Sequence, residues 1–266
     1  LRPGQQKDPD LFVHVVEKRD DGIVIRGAKA HMTGMVNSHW MLIMPTMGML
    51  PGEEDYTICC AVPVDAPGIT HIFGRQTNDD RKMEGTIDQG NANYGIVGGE
   101  CLTVLDDVFV PNEYIFMNGE TKFSGLLVER FACYHRSNYG SCKGGVCDVV
   151  IGAAALWADY QGTSKASHIK DKLNEMMHLT ETLYACAIAA ACMGSETPSG
   201  AYFVDRLMAN VCKHNVTKMI YEVDRLAQDI AGGIIATMPS ESDLRNPEIG
   251  KWVEKYLKGV AGVSTA

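Results

Sequence analysis

Several features are missing from this chain. No CxxC pair occurs in its 266 residues, which excludes the paired-thiolate zinc ribbons and fingers. No GxGxxG run is present, so nothing points to a Rossmann dinucleotide site. Positive charge is in deficit: 24 Lys and Arg against 33 Asp and Glu give a net charge of −9. That balance excludes wholesale nucleic-acid binding, and an anionic ligand needs a local basic pocket. Long apolar runs are also lacking. Stretches such as Ile151–Ala158 are too short to cross a bilayer, so no membrane role is expected. There is no internal repeat, no low-complexity tract, and nothing before Asp10 that reads as a targeting peptide.

Enough apolar residue is present, 45% of the chain with 21% charged, to bury a sizeable core without staples. The nine cysteines are an odd number with no secretory signal, so reduced thiols in the cytoplasm are expected. The chain begins at Leu1 and enters a strand pattern almost at once, and it reads as a fragment.

Two compositional halves follow. Short strands are expected from Leu11 to about Phe116. "LFVHVVEKRDDGIVIRG" reads as a hairpin turning at Asp20-Asp21-Gly22. "HWMLIMPT", "DYTICCAVPVD", "THIFGR" and "CLTVLDDVFVP" read as further strands between Gly, Pro and Asp clusters. From about Thr121 the period becomes helical. Leu173, Met176, Met177, Thr180, Leu183, Tyr184 and Ala187 form one stripe, and Leu207, Met208, Val211 and Cys212 form another. Pro198 fits a helix start, and Gly232-Gly233 a helix stop. The alanine-rich stretch Ile188–Glu196 reads as an ordinary helix, and "NPEIGKWVEKYLKG" as a short amphipathic one. The fold class is α+β: a β domain over residues 1–118, then a helical bundle over 119–266.

The densest chemistry lies in "CYHRSNYGSCKGGVC", Cys133 to Cys147. On a helix, the seven residues from His135 to Cys142 correspond to about 700° of rotation, so the two share a face. Tyr139 lies on the same side. The α-carbons are roughly 10 Å apart, which is wide for one tetrahedral zinc and easier for a metal cluster. Cys133 and Cys147 fall off the face unless Gly144 and Gly145 break the helix. The spacing leaves a metal site, a general-base histidine and plain core packing all open.

The segment "HRSNYGSCKGG" resembles the 4-hydroxybutyryl-CoA dehydratases, a branch of the 4-hydroxyphenylacetate 3-hydroxylase flavoproteins with the acyl-CoA dehydrogenase fold. "IRGAKAHMTGMVNSHW" resembles their flavin-facing strand, "LDDVFVP" the strand closing the β-barrel or sandwich domain, and "QDIAGG" a glycine turn that meets FAD, often from a neighbouring subunit. The resemblance implies a lyase that dehydrates 4-hydroxybutyryl-CoA to crotonyl-CoA through a flavin radical mechanism, with vinylacetyl-CoA isomerase activity. It implies FAD, a [4Fe–4S] cluster, an acyl-CoA substrate and a homotetramer. His135 and Cys142 match cluster ligands, and His135 also matches the base for the substrate proton. The remaining two cysteine ligands are expected upstream of residue 1, since Cys59-Cys60 sits in a strand pattern and does not replace them. An active-site glutamate is expected beyond Ala266. Tyr139 would hydrogen-bond substrate or flavin, Lys143 would stabilise anions, and Glu100 would position the hydroxyl or move a proton. His31, Met32 and Thr33 would line the flavin, and Gln228, Gly232 and Gly233 would approach its pyrophosphate or adenosine. A flavin-dependent aromatic hydroxylase without a cluster, or a non-catalytic fragment, stands as the alternative.

Overall fold

The structure, a computed structural model, describes residues 1–74, 100–260 and 263. The Asp20-Asp21 turn joins β1 (His14–Arg19) to β2 (Gly22–Thr33) in an antiparallel hairpin. β2 also pairs with β6 (Glu100–Pro111), and β6 with β5 (Ile69–Gly74), giving the order β1-β2-β6-β5. The last residue of "THIFGR", Arg75, lies outside the described residues. A second antiparallel sheet has the order β3-β4-β7, from Trp40–Ile43, Ile58–Pro63 and Ile115–Asn118.

Period-2 alternation is what lets these strands share a core. β6 buries Cys101, Thr103, Leu105, Val108 and Val110, and its neighbours along the strand face outward. Ile23, Ile25, Leu105, Val108 and Val110 from the first sheet pack with Met41, Ile43, Ile58, Cys60 and Val62 from the second. This is a sandwich of two open sheets. The expected alternative of a closed barrel is not formed among the described residues.

Two bulges interrupt the β2–β6 ladder, one between Ile25 and Gly27 and one between Lys29 and Met32. Each holds a non-glycine residue in the left-handed region: Asp107 at φ 54° and His31 at φ 59°. The Arg26 guanidinium anchors the first, meeting the Asp107 carboxylate at 2.6 Å.

The helical part begins with α1, Thr121–Tyr160, an unbroken helix of 40 residues. It contains an 18-residue window of mean hydropathy 1.3, long and apolar enough by composition to cross a membrane. The expectation of no such segment counted only uninterrupted apolar runs, and the glycines and serines of α1 divide those runs without making the helix polar. Cys147, Ala154 and Ala158 of α1 pack with Met176 and Leu183 of α2 (Ser167–Cys192) and with Val216 and Val223 of α3 (Arg206–Ala231).

Pro198 does not start a helix. It lies in the turn of a small hairpin, β8 (Ser195–Glu196) with β9 (Tyr202–Phe203), closed by the Thr197 N–H on the Ala201 carbonyl. Asp205 caps α3 instead, accepting from the Met208 N–H at 2.7 Å, because its carboxylate can satisfy an orphan amide that a proline cannot. The helix expected over Ile188–Glu196 therefore stops at Cys192. At Gly194 a β-carbon would come within 2.3 Å of the Phe203 carbonyl, so the chain needs glycine to enter the hairpin. Three short helices follow α3: α4 (Ile234–Thr237), α5 (Glu241–Arg245) and α6 (Gly250–Tyr256). Only α6 was expected. By internal contacts the chain divides into residues 1–129 and 130–266, and each unit is described on its own below.

Candidate functional site

In the helical unit, α1 stays intact through Gly144 and Gly145. Cys133 and Cys147 are buried at 2% exposure each, whereas Cys142 is exposed. The buried side is set by small residues. A β-carbon at Gly140 would sit 2.5 Å from the Leu183 carbonyl and 2.8 Å from both Ala187 Cβ and Cys212 Sγ. At Gly144 it would meet the Tyr184 ring at 2.8 Å. Glycine four residues apart therefore lets α1 lie close against α2 and α3 and fixes which face turns outward. The Cys212 thiol donates to the Ser137 carbonyl at 3.6 Å, and the Arg136 guanidinium donates to Asn210 Oδ1 at 2.6 Å.

On the outward face, the His135 ring meets Tyr139 edge-on at 4.7 Å between centroids and stacks on Phe131 at 5.5 Å. Partial burial lowers the His135 pKa, and the charges of Lys213 and Arg136 lower it further. All three causes oppose the imidazolium, so the ring stands ready as a neutral donor or proton acceptor. Lys143 is half-buried on the same helix. None of the nine cysteines forms a disulfide. Among the described residues no group of three or more His, Cys, Asp or Glu converges as a metal site. The donor set on α1 is one imidazole and one thiol.

A second cluster lies at the end of α3. Gly232 adopts φ 70° and its N–H caps the Gln228 carbonyl at 2.9 Å. Neither Gly232 nor Gly233 has a heavy atom within 4 Å of a built β-carbon. Gln228 lines a largely apolar cleft of 680 Å³, with Val149, Ala153 and Trp157 of α1 and Ile235 and Met238 beyond the glycines. The Trp157 indole N–H is buried with no partner among the described residues. A cleft of this size and apolar lining suits a cofactor-sized ligand.

In the β unit, the ladder places Thr33 opposite Glu100. The Thr33 hydroxyl donates to the Glu100 carboxylate, 2.7 and 2.8 Å from its two oxygens. Both residues are exposed, as is His31 at the bulge, while Met32 is partly buried. The glycines before Glu100, Gly98 and Gly99, lie outside the described residues. A hydroxyl has a single proton to give. With that proton on Glu100, Thr33 offers a further ligand only lone pairs.

Sequence reasoning found His135, Tyr139 and Cys142 on one face. It did not find Phe131, Lys213, Arg136 or Trp157, nor the Thr33–Glu100 pair. The only available signal for the glycines was their four-residue spacing within "GSCKGG".

Comparison with known proteins sets these features in context. Residues 1–117 match the N-terminal, and residues 124–266 the C-terminal, family profile of 4-hydroxyphenylacetate 3-hydroxylase. The chain belongs to the 4-hydroxyphenylacetate 3-hydroxylase family. Within that family it is 57% identical over 251 residues to the 4-hydroxybutyryl-CoA dehydratase/vinylacetyl-CoA-Δ-isomerase of Clostridium aminobutyricum, covering 94% of this chain and 51% of the relative. It superposes on an oxygen-tolerant archaeal 4-hydroxybutyryl-CoA dehydratase from N. maritimus with a TM-score of 0.94 at 52% identity, over 99% of this chain and 52% of that one. The oxygenase component of 4-hydroxyphenylacetate 3-monooxygenase, complexed with FAD, superposes with a TM-score of 0.83 at 25% identity, over 98% of this chain and 54% of that one. The chain thus spans about half the length of the family members it matches.

Proposed function

We propose that these residues form part of a 4-hydroxybutyryl-CoA dehydratase that also isomerises vinylacetyl-CoA, on the acyl-CoA dehydrogenase-like plan of a β domain near residues 1–118 followed by a helical bundle. The observation that carries this reading is the outward face of α1, where an accessible histidine and cysteine share one side of the helix with Tyr139. An aromatic hydroxylase has no use for that ligand pair. The identity gap supports the same choice, 57% to a dehydratase against 25% to a hydroxylase structure.

The donor chemistry fits half of a [4Fe–4S] site. His135 and Cys142 would supply an imidazole and a thiolate, a mixed set that iron–sulfur centres accept. The other two ligands would come from outside these 266 residues. In the helical unit, Gln228 and the open Gly232-Gly233 turn beside the apolar cleft would hold the adenosine or pyrophosphate part of FAD. Thr33, His31 and Met32 would face its reactive part. When bound, FAD supplies reversible one-electron chemistry and the cluster a Lewis-acidic iron for the leaving hydroxyl.

The chain's own residues do the rest. His135, neutral at rest, takes the acidic α-proton of the thioester at an imidazole nitrogen. A neutral imidazole has a single basic nitrogen, so the same ring cannot hold iron and take the proton at one moment, and the two tasks fall at different stages. Tyr139 donates a hydrogen bond from its hydroxyl toward substrate or flavin. Glu100 holds the Thr33 proton and positions the substrate hydroxyl or shuttles a proton, and Lys143 offers positive charge to anionic species. The assembly we expect is a cytoplasmic homotetramer.

The test uses the full-length polypeptide containing these residues, purified without oxygen. His135→Ala or Cys142→Ala is expected to abolish crotonyl-CoA formation while FAD stays bound. Wild-type turnover in either variant would remove that residue from the mechanism.

A further inference from the structure

Lys213 lies on α3, and no step above gives it a task. Its ammonium sits 4.2 Å from the centroid of the Tyr139 ring. The side chain is half-buried, and among the described residues no carboxylate pairs with it. A partly buried cation ordinarily finds a counter-ion. Here the recorded contact is the electron-rich ring of the residue that packs edge-on against His135 at 4.7 Å. With Phe131 stacked behind the imidazole, four groups form a column: Phe131, His135, Tyr139, Lys213. Three come from α1, and the fourth closes the column from another helix.

We propose that Lys213 is a positioning residue of this site, its ammonium clamping the Tyr139 ring against His135 and keeping the face positively charged for an anionic acyl thioester. A cation over a tyrosine face holds the ring without using its hydroxyl, so the hydroxyl stays free to donate elsewhere. An acidic residue at position 213 would neutralise the face. An apolar residue would release the ring.

The consequence for turnover rests on the dehydratase reading, but the clamp does not, and the experiment separates them. The full-length protein is labelled with 3-fluorotyrosine, and the Tyr139 fluorine resonance is assigned by its loss in Tyr139→Phe. Lys213→Met keeps the aliphatic stem and removes the charge. It is expected to shift that resonance, whereas Lys218→Met, at an exposed position on the same helix, leaves it in place. In the holoenzyme, Lys213→Met is expected to lower kcat about 5- to 30-fold with KM, flavin content and iron content unchanged. Lys213→Arg should recover most of the loss, because a guanidinium also stacks on an aromatic face. An unshifted resonance in Lys213→Met overturns the clamp. A shifted resonance with wild-type kcat, or a loss that Lys213→Arg does not repair, overturns the positioning role. If wild-type protein shows the lysine-dependent resonance but no dehydration, the clamp stands and the dehydratase reading falls.

Discussion

In the β unit, Thr33 and Glu100 lie 67 residues apart in sequence and meet through a hydrogen bond at the end of a strand ladder. In the helical unit, His135, Tyr139 and Cys142 fall within eight consecutive residues of one helix. The first arrangement depends on register: a one-residue slip would turn Thr33 away from Glu100. The second depends on helical pitch, and it survives as long as α1 remains helical. Damage should therefore look different in the two units. In the helical unit, what can be broken is the seat of the helix. In the β unit, it is the pairing itself.

The largest effect is expected at that seat. Gly140→Val drives a side chain into the Leu183 carbonyl and the Cys212 thiol, and it should cost about 3 kcal/mol or more. Chemical denaturation followed by far-UV circular dichroism, which the helices dominate, should show the loss. An unchanged midpoint would mean that the α1–α2–α3 packing is looser than described.

A smaller effect is expected in the β unit. Thr33→Val keeps the shape and removes the hydrogen bond to a carboxylate, and turnover should fall about 10-fold with the melting temperature nearly unchanged, since both residues are exposed. Thr33→Ser should retain most of the activity. Equal losses in the two variants would show that the methyl group matters and the hydroxyl does not.

The smallest effect concerns acid. The Arg2 guanidinium bonds Glu53, with Nε 2.9 Å from Oε1, and the Leu50 N–H adds a bond at 2.8 Å. Arg2 chiefly, then the Leu50 amide, hold the Glu53 carboxyl below its ordinary range against the opposing effect of burial. A depressed carboxylate pKa stabilises the fold above the unfolded-state value. That contribution is lost as pH falls through the folded-state value. Arg2→Met should therefore flatten the acid limb of stability against pH and leave the helical unit unaffected. An unchanged acid limb would assign that loss to other carboxylates.

The same contrast explains what could be read from the sequence. The face of α1 follows from 100° per residue, so His135, Tyr139 and Cys142 could be grouped without coordinates, and Cys133 and Cys147 set aside. The β1–β2 hairpin was legible because its two-residue turn is local. The Thr33–Glu100 pair was not, because register across 67 residues is fixed by the packed core and two bulges, and nothing near either residue encodes it. Lys213 was missed for a related reason. It acts on a residue of a different helix, and a lysine in a helical stripe carries no local mark of what it will touch. Pro198 misled because proline suits both a helix start and a tight turn, and only the close approach at Gly194 decides between them.

The central claim is that the outward face of α1 carries iron beside a flavin. Its most direct test is elemental and cofactor analysis of the full-length polypeptide purified without oxygen. We expect about four iron and four sulfide per flavin, with iron falling sharply in Cys142→Ala while flavin remains. Flavin at full occupancy with no iron or sulfide would contradict the account and return the chain to the hydroxylases of its family.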